Sequence, residues 1–421
     1  MKEVYVERDL EKKVRKYLKR KEILAIVGAR QCGKTTLMKR IFEGLENAMF
    51  ITFEDREILE LFAEDTNLFI KKYVEGIDYL FIDEFQYARK GGKILKFIYD
   101  THSTKIIISG SSVAELSVQS LKFLVGRIFV FTLAPFSFGE FLRYRDSNLY
   151  AMLTKGGLTK KSVEFINRFY DEYVIYGGYP AVVLAGTEDE KAEVLKGIIN
   201  TYLLREIKEI MQISDDYKVS KLIKALSLQI GGLVNYSELS QLTGFRQYEL
   251  AKYMSVLRNT FVCLESRPFF RNKRKELVKA PRMYFLDNGF RNAAIGNFMD
   301  VGMRTDRGVL NENFVASEIF KAGIELHYWR TKAGAEVDFI AEKGGFTIPV
   351  EVKTVISNEK YTRSFRNFIS DYKPRKGIIL SRSFMKEAGL NGTDVIFAPL
   401  FSVAHALQGQ PRGAQLPFLM P

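Results

Sequence analysis

The chain has 421 residues, 47% hydrophobic and 27% charged, with a formal net charge of +13; a single hydrophobic core rarely organises that length, so roughly three or four units are expected. Its two cysteines, Cys32 and Cys263, exclude a disulfide framework or a cysteine metal cluster. No apolar run reaches membrane-spanning length and the charged start MKEVYVERDLEKK lacks a signal-peptide core, which predicts a soluble protein of the reducing cytoplasm without membrane contact. The positive surplus reads either as a footprint for a polyanion, nucleic acid before anionic membrane, or as solubility charge spread over many surfaces.

From Glu22 to Phe131 the runs ILAIVG, MFITFE, YLFIDE, KIIISGSS and IFVFTL alternate with helical stretches. Nearly continuous β-branched and aromatic strands of this kind form a parallel sheet buried on both faces. From Pro135 the periodicity turns helical, with FSFGEFLRYR and FINRFYDEYVIYGG as amphipathic segments, a unit expected to sit as a lid. Residues 217–286 read as helix, helix, helix and basic hairpin, the order of a winged helix. Residues 287–407 contain a helix, three strands, a helix and two strands, and 408–421, rich in proline and glycine, form a flexible tail.

Gly28-Ala29-Arg30-Gln31-Cys32-Gly33-Lys34-Thr35 is a complete G-x4-G-K-[ST] cradle between a strand and a helix. Its glycines let backbone N–H groups converge on phosphate oxygens, with Thr36 continuing the first turn of the helix, Lys34 reaching the terminal phosphates of ATP and Thr35 ligating Mg2+. Tyr79-Leu80-Phe81-Ile82-Asp83-Glu84 drives a strand that delivers two carboxylates, Asp83 to the metal and Glu84 to an attacking water as general base. KIIISGSS ends a buried strand in Ser109, Gly110, Ser111 and Ser112, a set that either senses the γ-phosphate and orients water or is a serine-rich turn, with Ser109 as the catalytic candidate. Arg127, just before another strand, is either an arginine finger for a neighbouring subunit's nucleotide or a surface arginine beside a turn.

These residues resemble the AAA-type branch of P-loop ATPases, in which a strand lies between those carrying the two nucleotide motifs. The resemblance covers about the first half of the chain. It implies homo-oligomers, often rings, and assigns Pro180 in Gly178-Tyr179-Pro180 to a G-x-P element closing a lid over adenine; a helix-ending Gly-Gly followed by proline explains the same residues.

In GAEVDFIAEKGGFTIPVEVKT, Gly344-Gly345 is a favoured two-residue hairpin loop. Continued outward, that register sets Asp338 opposite Glu351 and Glu336 opposite Lys353 on one face, with Pro349 as the residue able to shift it. Carboxylates with a lysine suit metal-assisted phosphodiester hydrolysis, although cross-strand salt bridges would produce the same pairs. The D…E-x-K spacing in this order of elements resembles the PD-(D/E)XK, restriction-endonuclease-like nucleases. On that resemblance Asp338, Glu351 and Lys353 are the core triad, Asp338, Glu351 and Glu312 are metal ligands, and the leading proline-aspartate is replaced by Val337-Asp338.

The whole chain is similar to archaeal and bacterial ATPases that join an AAA-type domain to a nuclease-like domain, through GGYP, RMYFLDNGF, WRTKAGAEVDFI and PVEVK. The expected architecture is therefore multidomain α/β: a P-loop parallel sheet over 1–135, a helical lid over 136–216, a winged helix over 217–286 and a restriction-endonuclease-like domain over 287–407. In the hairpin, Arg267, Arg271, Lys273, Arg274 and Lys275, with Lys279 and Arg282 beyond, either track a DNA backbone or serve a protein contact. The function read from this sequence is an ATP-hydrolysing, DNA-acting protein of repair, recombination or defence. The alternative is a nucleotide-dependent oligomerisation or signalling switch whose last domain binds without cleaving.

Overall fold

The computed structural model describes residues 4–88, 91–111, 123–203, 216–272, 274, 276 and 279–408. It divides into two compact units, Met1–Phe136 with Ser255–Val262 and Ser137–Met254 with Cys263–Pro421. Among the described residues no helix is long and apolar enough to cross a membrane.

In the first unit, β1 (Ile23–Val27), β2 (Ala48–Thr52), β3 (Tyr79–Asp83), β4 (Lys105–Gly110) and β5 (Ile128–Thr132) form one sheet in the order β2-β3-β4-β1-β5. All its pairings are parallel. Every residue of β1 is buried, as continuous apolar runs require when helices cover both faces. The expected inserted strand is β4, seated between β1 and β3, so the ends of the two motif-bearing strands are separated by the end of a third. The helix Lys34–Phe42 buries Leu37, Met38 and Ile41 in the same core.

The second unit contains an eight-stranded mixed sheet built from β6 (Cys263–Pro268), β7 (Arg282–Phe285), β8 (Glu325–Arg330), β9 (Glu336–Lys343), β10 (Phe346–Val352), β11 (Lys376–Ser381), β12 (Lys386–Leu390) and β13 (Thr393–Pro399), in the order β12-β13-β11-β10-β9-β8-β6-β7. One face is packed by the helix Arg363–Tyr372, whose Phe365, Phe368 and Ile369 meet Trp329, Ile340 and Phe397. Three strands, not the expected two, follow that helix. The extra one, β12, pairs antiparallel at the edge with β13, and its sequence KEAGL is mostly exposed, so it carries no alternation to announce a strand.

The three helices Asp216–Leu228, Tyr236–Thr243 and Gln247–Asn259 precede β6 and β7 in the order read from the sequence. The hairpin does not stand apart, however: β6 pairs in parallel with β8 through Arg267↔His327 and Pro268↔Tyr328, which makes the two strands the edge of the large sheet. The helix Lys160–Tyr176 in turn packs on the helix Arg307–Lys321, with Phe138 and Tyr170 set edge-on to Phe314 and the Tyr170 hydroxyl donating to Asn311 at 2.8 Å.

Gly177-Gly178 and Leu286-Asp287-Asn288-Gly289, far apart in sequence, form one lock. Asp287 is buried, and its carboxylate accepts from the N–H of Gly178 at 2.7 Å and of Phe290 at 2.9 Å, capping the helix Asn288–Ile295. Asn292 donates to the carbonyls of Val174 and Ile175 at 3.0 and 2.9 Å. A Cβ at Gly289 would overlap the Tyr176 carbonyl. Gly289→Ala is therefore expected to destabilise the second unit by about 3 kcal/mol, the upper end for overpacking against backbone. Thermal unfolding checks this, and an unchanged melting profile would show that the two helices can slide apart at no cost.

Candidate nucleotide and divalent-cation sites

The cradle residues Gly28 to Thr35 link the end of β1 to the helix Lys34–Phe42, whose N–H groups and positive end face the loop. Gly28 admits no side chain, because a Cβ there would overlap the Leu133 carbonyl. Lys34 Nζ donates to the carbonyls of Gly28 and Ala29 at 3.1 and 3.0 Å. Cys32 is fully buried with its thiol on the Leu133 carbonyl at 3.2 Å; burial raises its pKa, so it packs the loop instead of presenting a thiolate. Arg30 is half-buried, and Gln31 and Thr36 are exposed at the rim.

Thr35 donates to Asp83 Oδ2 at 2.7 Å, so the two groups that would share a magnesium ion already meet across the sheet. Ser109 is fully buried on the intervening β4 and donates to Asp83 Oδ1, while its hydroxyl accepts from the Glu84 N–H at 3.0 Å. Its place is therefore behind the two acids, orienting both. Ser111, whose buried hydroxyl has no hydrogen-bond partner, is a further polar group after this strand; Ser112 lies outside the described residues. Glu84 adopts a left-handed conformation with φ 54°, and its carboxylate accepts from the amide of Gln86.

Two residues at this site carry no motif signal. Arg8 donates to the carbonyls of Cys32 at 2.8 Å and Ala134 at 2.6 Å with its guanidinium over Phe136, bracing the loop from behind. It stands in a charged stretch where nothing local separates it from its neighbours. Gln86 follows the acids by two positions in an aromatic turn, and that polar residue was the available hint.

Arg127 is not brought to the cradle. It precedes β5, at the opposite end of the parallel sheet from the P-loop, and forms a two-pronged pair with Asp100 at 2.9 and 3.3 Å. Pro180 starts the short helix Pro180–Leu184 in the second unit, where Gly177 and Gly178 serve the Asp287 lock.

The second constellation draws on three elements. Glu312 comes from the helix Arg307–Lys321, Asp338 from β9, and Glu351 and Lys353 from the end of β10 and just beyond. The hairpin keeps the expected register from Lys343↔Phe346 to Phe339↔Val350 without a shift at Pro349. Further out, Asp338 Oδ2 takes the Val352 N–H at 2.7 Å and Lys353 N–H bonds to Leu380 on β11 at 2.8 Å, so side-chain and neighbouring-strand bonds replace rungs at 338/351 and 336/353. Glu336, expected opposite Lys353, instead holds Arg282 at 2.6 Å and Arg330 at 3.7 Å.

Glu351 is 3% exposed; its Oε1 accepts from Thr362 at 2.6 Å and lies 3.6 Å from Lys353 Nζ, and its Oε2 has no hydrogen-bond partner. Burial raises the pKa of Asp338 and of Glu351 against the opposing pull of Lys353. Burial, with the Asp338 charge second, pushes Glu312 up to about 7. Three crowded carboxyls thus share one ammonium group. A hard divalent cation prefers oxygen ligands of this kind and would satisfy the orphaned Oε2, whereas the group whose ligand atoms already lie within 4.8 Å of one another, among the described residues, is Glu325, His327 and Glu342.

The basic hairpin residues diverge. Arg267 pairs with Glu265 at 2.5 Å, Arg271 donates to the Asp371 carbonyl at 2.6 Å over the ring of Tyr372, and Arg274 is exposed. Lys273 and Lys275 lie outside the described residues.

Among known families, residues 20–142 match an AAA domain. Residues 167–300 and 307–401 match two domains of unknown function, DUF8612 and DUF4143. An uncharacterized protein of Haemophilus influenzae is 27% identical over 394 residues, covering 89% of this chain and 92% of the relative. One from Methanocaldococcus jannaschii is 24% identical over 349 residues, covering 76% and 72%. Among solved structures, the Walker-type ATPase of Pyrococcus abyssi aligns with 70% of this chain and 97% of its own at 16% identity and a TM-score of 0.45. The ADP form of the Aeropyrum pernix ORC2 protein aligns with 63% and 88% at 17% identity and 0.31. The segment that matches the AAA domain holds both nucleotide motifs and the strand inserted between them. Residues 20–142 thus combine a match to an AAA domain with a P-loop cradle at the end of a parallel sheet.

Proposed function

We propose that this protein is a Mg-dependent ATPase acting on DNA, with a second site at Glu312, Asp338, Glu351 and Lys353 that hydrolyses phosphodiesters with a divalent cation. The observation that carries the second half is a group of three carboxyls, Glu351 buried and Glu312 and Asp338 half-buried, near a single lysine, with one carboxylate oxygen left unpartnered. Cross-strand salt bridges would balance these charges at the surface. A buried excess of acid is instead costly to the fold unless a cation joins it.

In the first unit, Thr35 and Asp83 would hold Mg2+, and Lys34 would leave the Gly28 and Ala29 carbonyls for the terminal phosphates. Glu84 would take the proton of the water that attacks the γ-phosphorus as the bond to the β-phosphate oxygen breaks. In the second, a bound cation would polarise the phosphodiester and acidify a water molecule. Glu312, Asp338 and Glu351 would supply its oxygen ligands, and Lys353, partly exposed beside Glu351, would steady the hydroxide that adds to phosphorus as the bond to the departing sugar oxygen breaks and that oxygen takes a proton from water. DNA is the polyanion proposed for the surplus of +13.

Purified protein should hydrolyse ATP faster with DNA present; DNA-independent turnover with no DNA affinity would return the alternative of a nucleotide switch. Lys34→Ala is expected to lower turnover at least about 100-fold with the circular-dichroism melt unchanged. Ser109→Ala removes the hydroxyl that orients both acids, and the Mg2+ concentration for half-maximal turnover should rise about tenfold. An unaltered Mg2+ dependence would reduce Ser109 to packing. Asp338→Ala should abolish Mn2+-dependent cleavage of single-stranded, duplex and branched DNA while leaving ATP turnover intact, and cleavage that survives it would eliminate the second site.

A further inference from the structure

Arg282 opens β7 and is 6% exposed, an unusual depth for a guanidinium. It lies over the ring of Tyr328, 4.8 Å from its centroid, and reaches Glu336 Oε1 with Nη2 at 2.6 Å. Its Nε is buried without a hydrogen-bond partner. Two residues on, and so on the same side of the strand, Tyr284 carries a second buried polar group, a hydroxyl that interacts with the Arg282 side chain and makes no other hydrogen bond. That hydroxyl and Glu312 Oε2 flank Gly231, lying 3.6 and 3.3 Å from where its Cβ would be. Donors from β7 are therefore aimed at the side of the carboxylate cluster.

Electrostatics defines what these donors can receive. Glu312, Asp338 and Glu351 are balanced by Lys353 and one divalent cation, which leaves no positive charge for a phosphodiester brought up to that cation. A further cation is required, and of the arginines near the cluster Arg282 is the one bearing on both Glu312 and Asp338. Its present partner can be exchanged. Glu336 is partly exposed and already lies 3.7 Å from Arg330, a second cation at the surface. If Glu336 swings to Arg330, the Nε and Nη edge of Arg282 is freed as a fork that matches two phosphate oxygens.

We propose that Arg282 binds the scissile phosphate beside the carboxylate cluster, with Glu336 as its exchangeable counter-ion. This rests on the phosphodiesterase reading of that cluster. Arg282 is a binding residue for the substrate's anion, and Glu336 is a positioning residue that gates it. The role also explains why this arginine, alone of the hairpin's described basic residues, is buried within the sheet.

The test uses the full chain and two readouts that need no turnover: Mn2+ binding by calorimetry, and anisotropy of a short fluorescent single-stranded oligodeoxynucleotide with Ca2+ present. Arg282→Met should leave Mn2+ affinity unchanged and weaken oligonucleotide binding about 100-fold. Arg282→Lys should fall between, keeping the charge and losing the fork. Glu336→Gln should bind the oligonucleotide as tightly as the parent or more tightly. A purely structural ion pair predicts the reverse, with Glu336→Gln and Arg282→Met impaired alike and both losing thermal stability. That result, or wild-type oligonucleotide binding by Arg282→Met, or loss of Mn2+ binding in it, overturns the proposal. Failure of the underlying reading is separately visible: Asp338→Ala would then bind Mn2+ no differently from the parent, and the assignment of Arg282 would fall with it.

Discussion

A carboxylate taken out of water must be met by donors or cations, and that requirement organises both units of this protein. Most of its buried acids are fully met. Asp83 takes hydroxyls from Thr35 and Ser109; Asp287 takes two backbone N–H groups; even half-buried Asp306 is clasped by Arg291 and Arg304 at 2.6 and 2.8 Å. Glu318 is held by the Phe138 N–H and Lys321. Against that background, Glu312, Asp338 and Glu351 stand out because the same chain, which satisfies acids elsewhere with well-placed donors, leaves Glu351 Oε2 without one.

Strand order does the positioning. With β4 between β1 and β3, a serine at its end can touch Asp83 and the backbone of Glu84 together, which neither motif-bearing strand could arrange alone. In the second unit, the parallel pairing of β6 with β8 draws the hairpin into the large sheet and carries Arg282 and Tyr284 toward β9. Gly231 follows, because its N–H bonds to the Met283 carbonyl at 2.9 Å on the free side of β7. The carboxylate cluster is thereby bordered by residues drawn from more than a hundred positions of sequence.

What could be read in advance follows from how local the determining physics is. The cradle and the YLFIDE strand are contiguous, so their spacing carries the geometry. The β9–β10 register was legible from Lys343↔Phe346 to Phe339↔Val350 because a Gly-Gly turn fixes it, but the rungs expected at 338/351 and 336/353 were not, because a side-chain bond and a bond to β11 take their place. Glu312 was reached by resemblance alone, because it sits on a helix that no local spacing ties to the β9–β10 hairpin. Arg8, the bracing role of Ser109, and the burial of Arg282 were not legible, because each depends on a partner distant in the chain. Strand β12 escaped for a different reason: an exposed edge strand needs no apolar face and so prints no pattern.

The three groups proposed to meet phosphate or water share one further property, which is that each is held by an internal partner that a ligand would have to displace. Lys34 rests on the Gly28 and Ala29 carbonyls, Glu84 accepts from Gln86, and Arg282 is paired with Glu336. These partners differ in strength in a telling way. Two neutral carbonyls and one amide are weak competitors for a polyphosphate or an activated water, so the ATP site can exchange them readily. A charge-assisted pair is a stronger competitor, and it yields only to an anion that Arg282 can bind at least as well while Glu336 finds Arg330. On this physics the nucleotide site would be the permissive one and the carboxylate site the selective one: a cation with Lys353 balances Glu312, Asp338 and Glu351, and a phosphate enters only where Arg282 is released from Glu336.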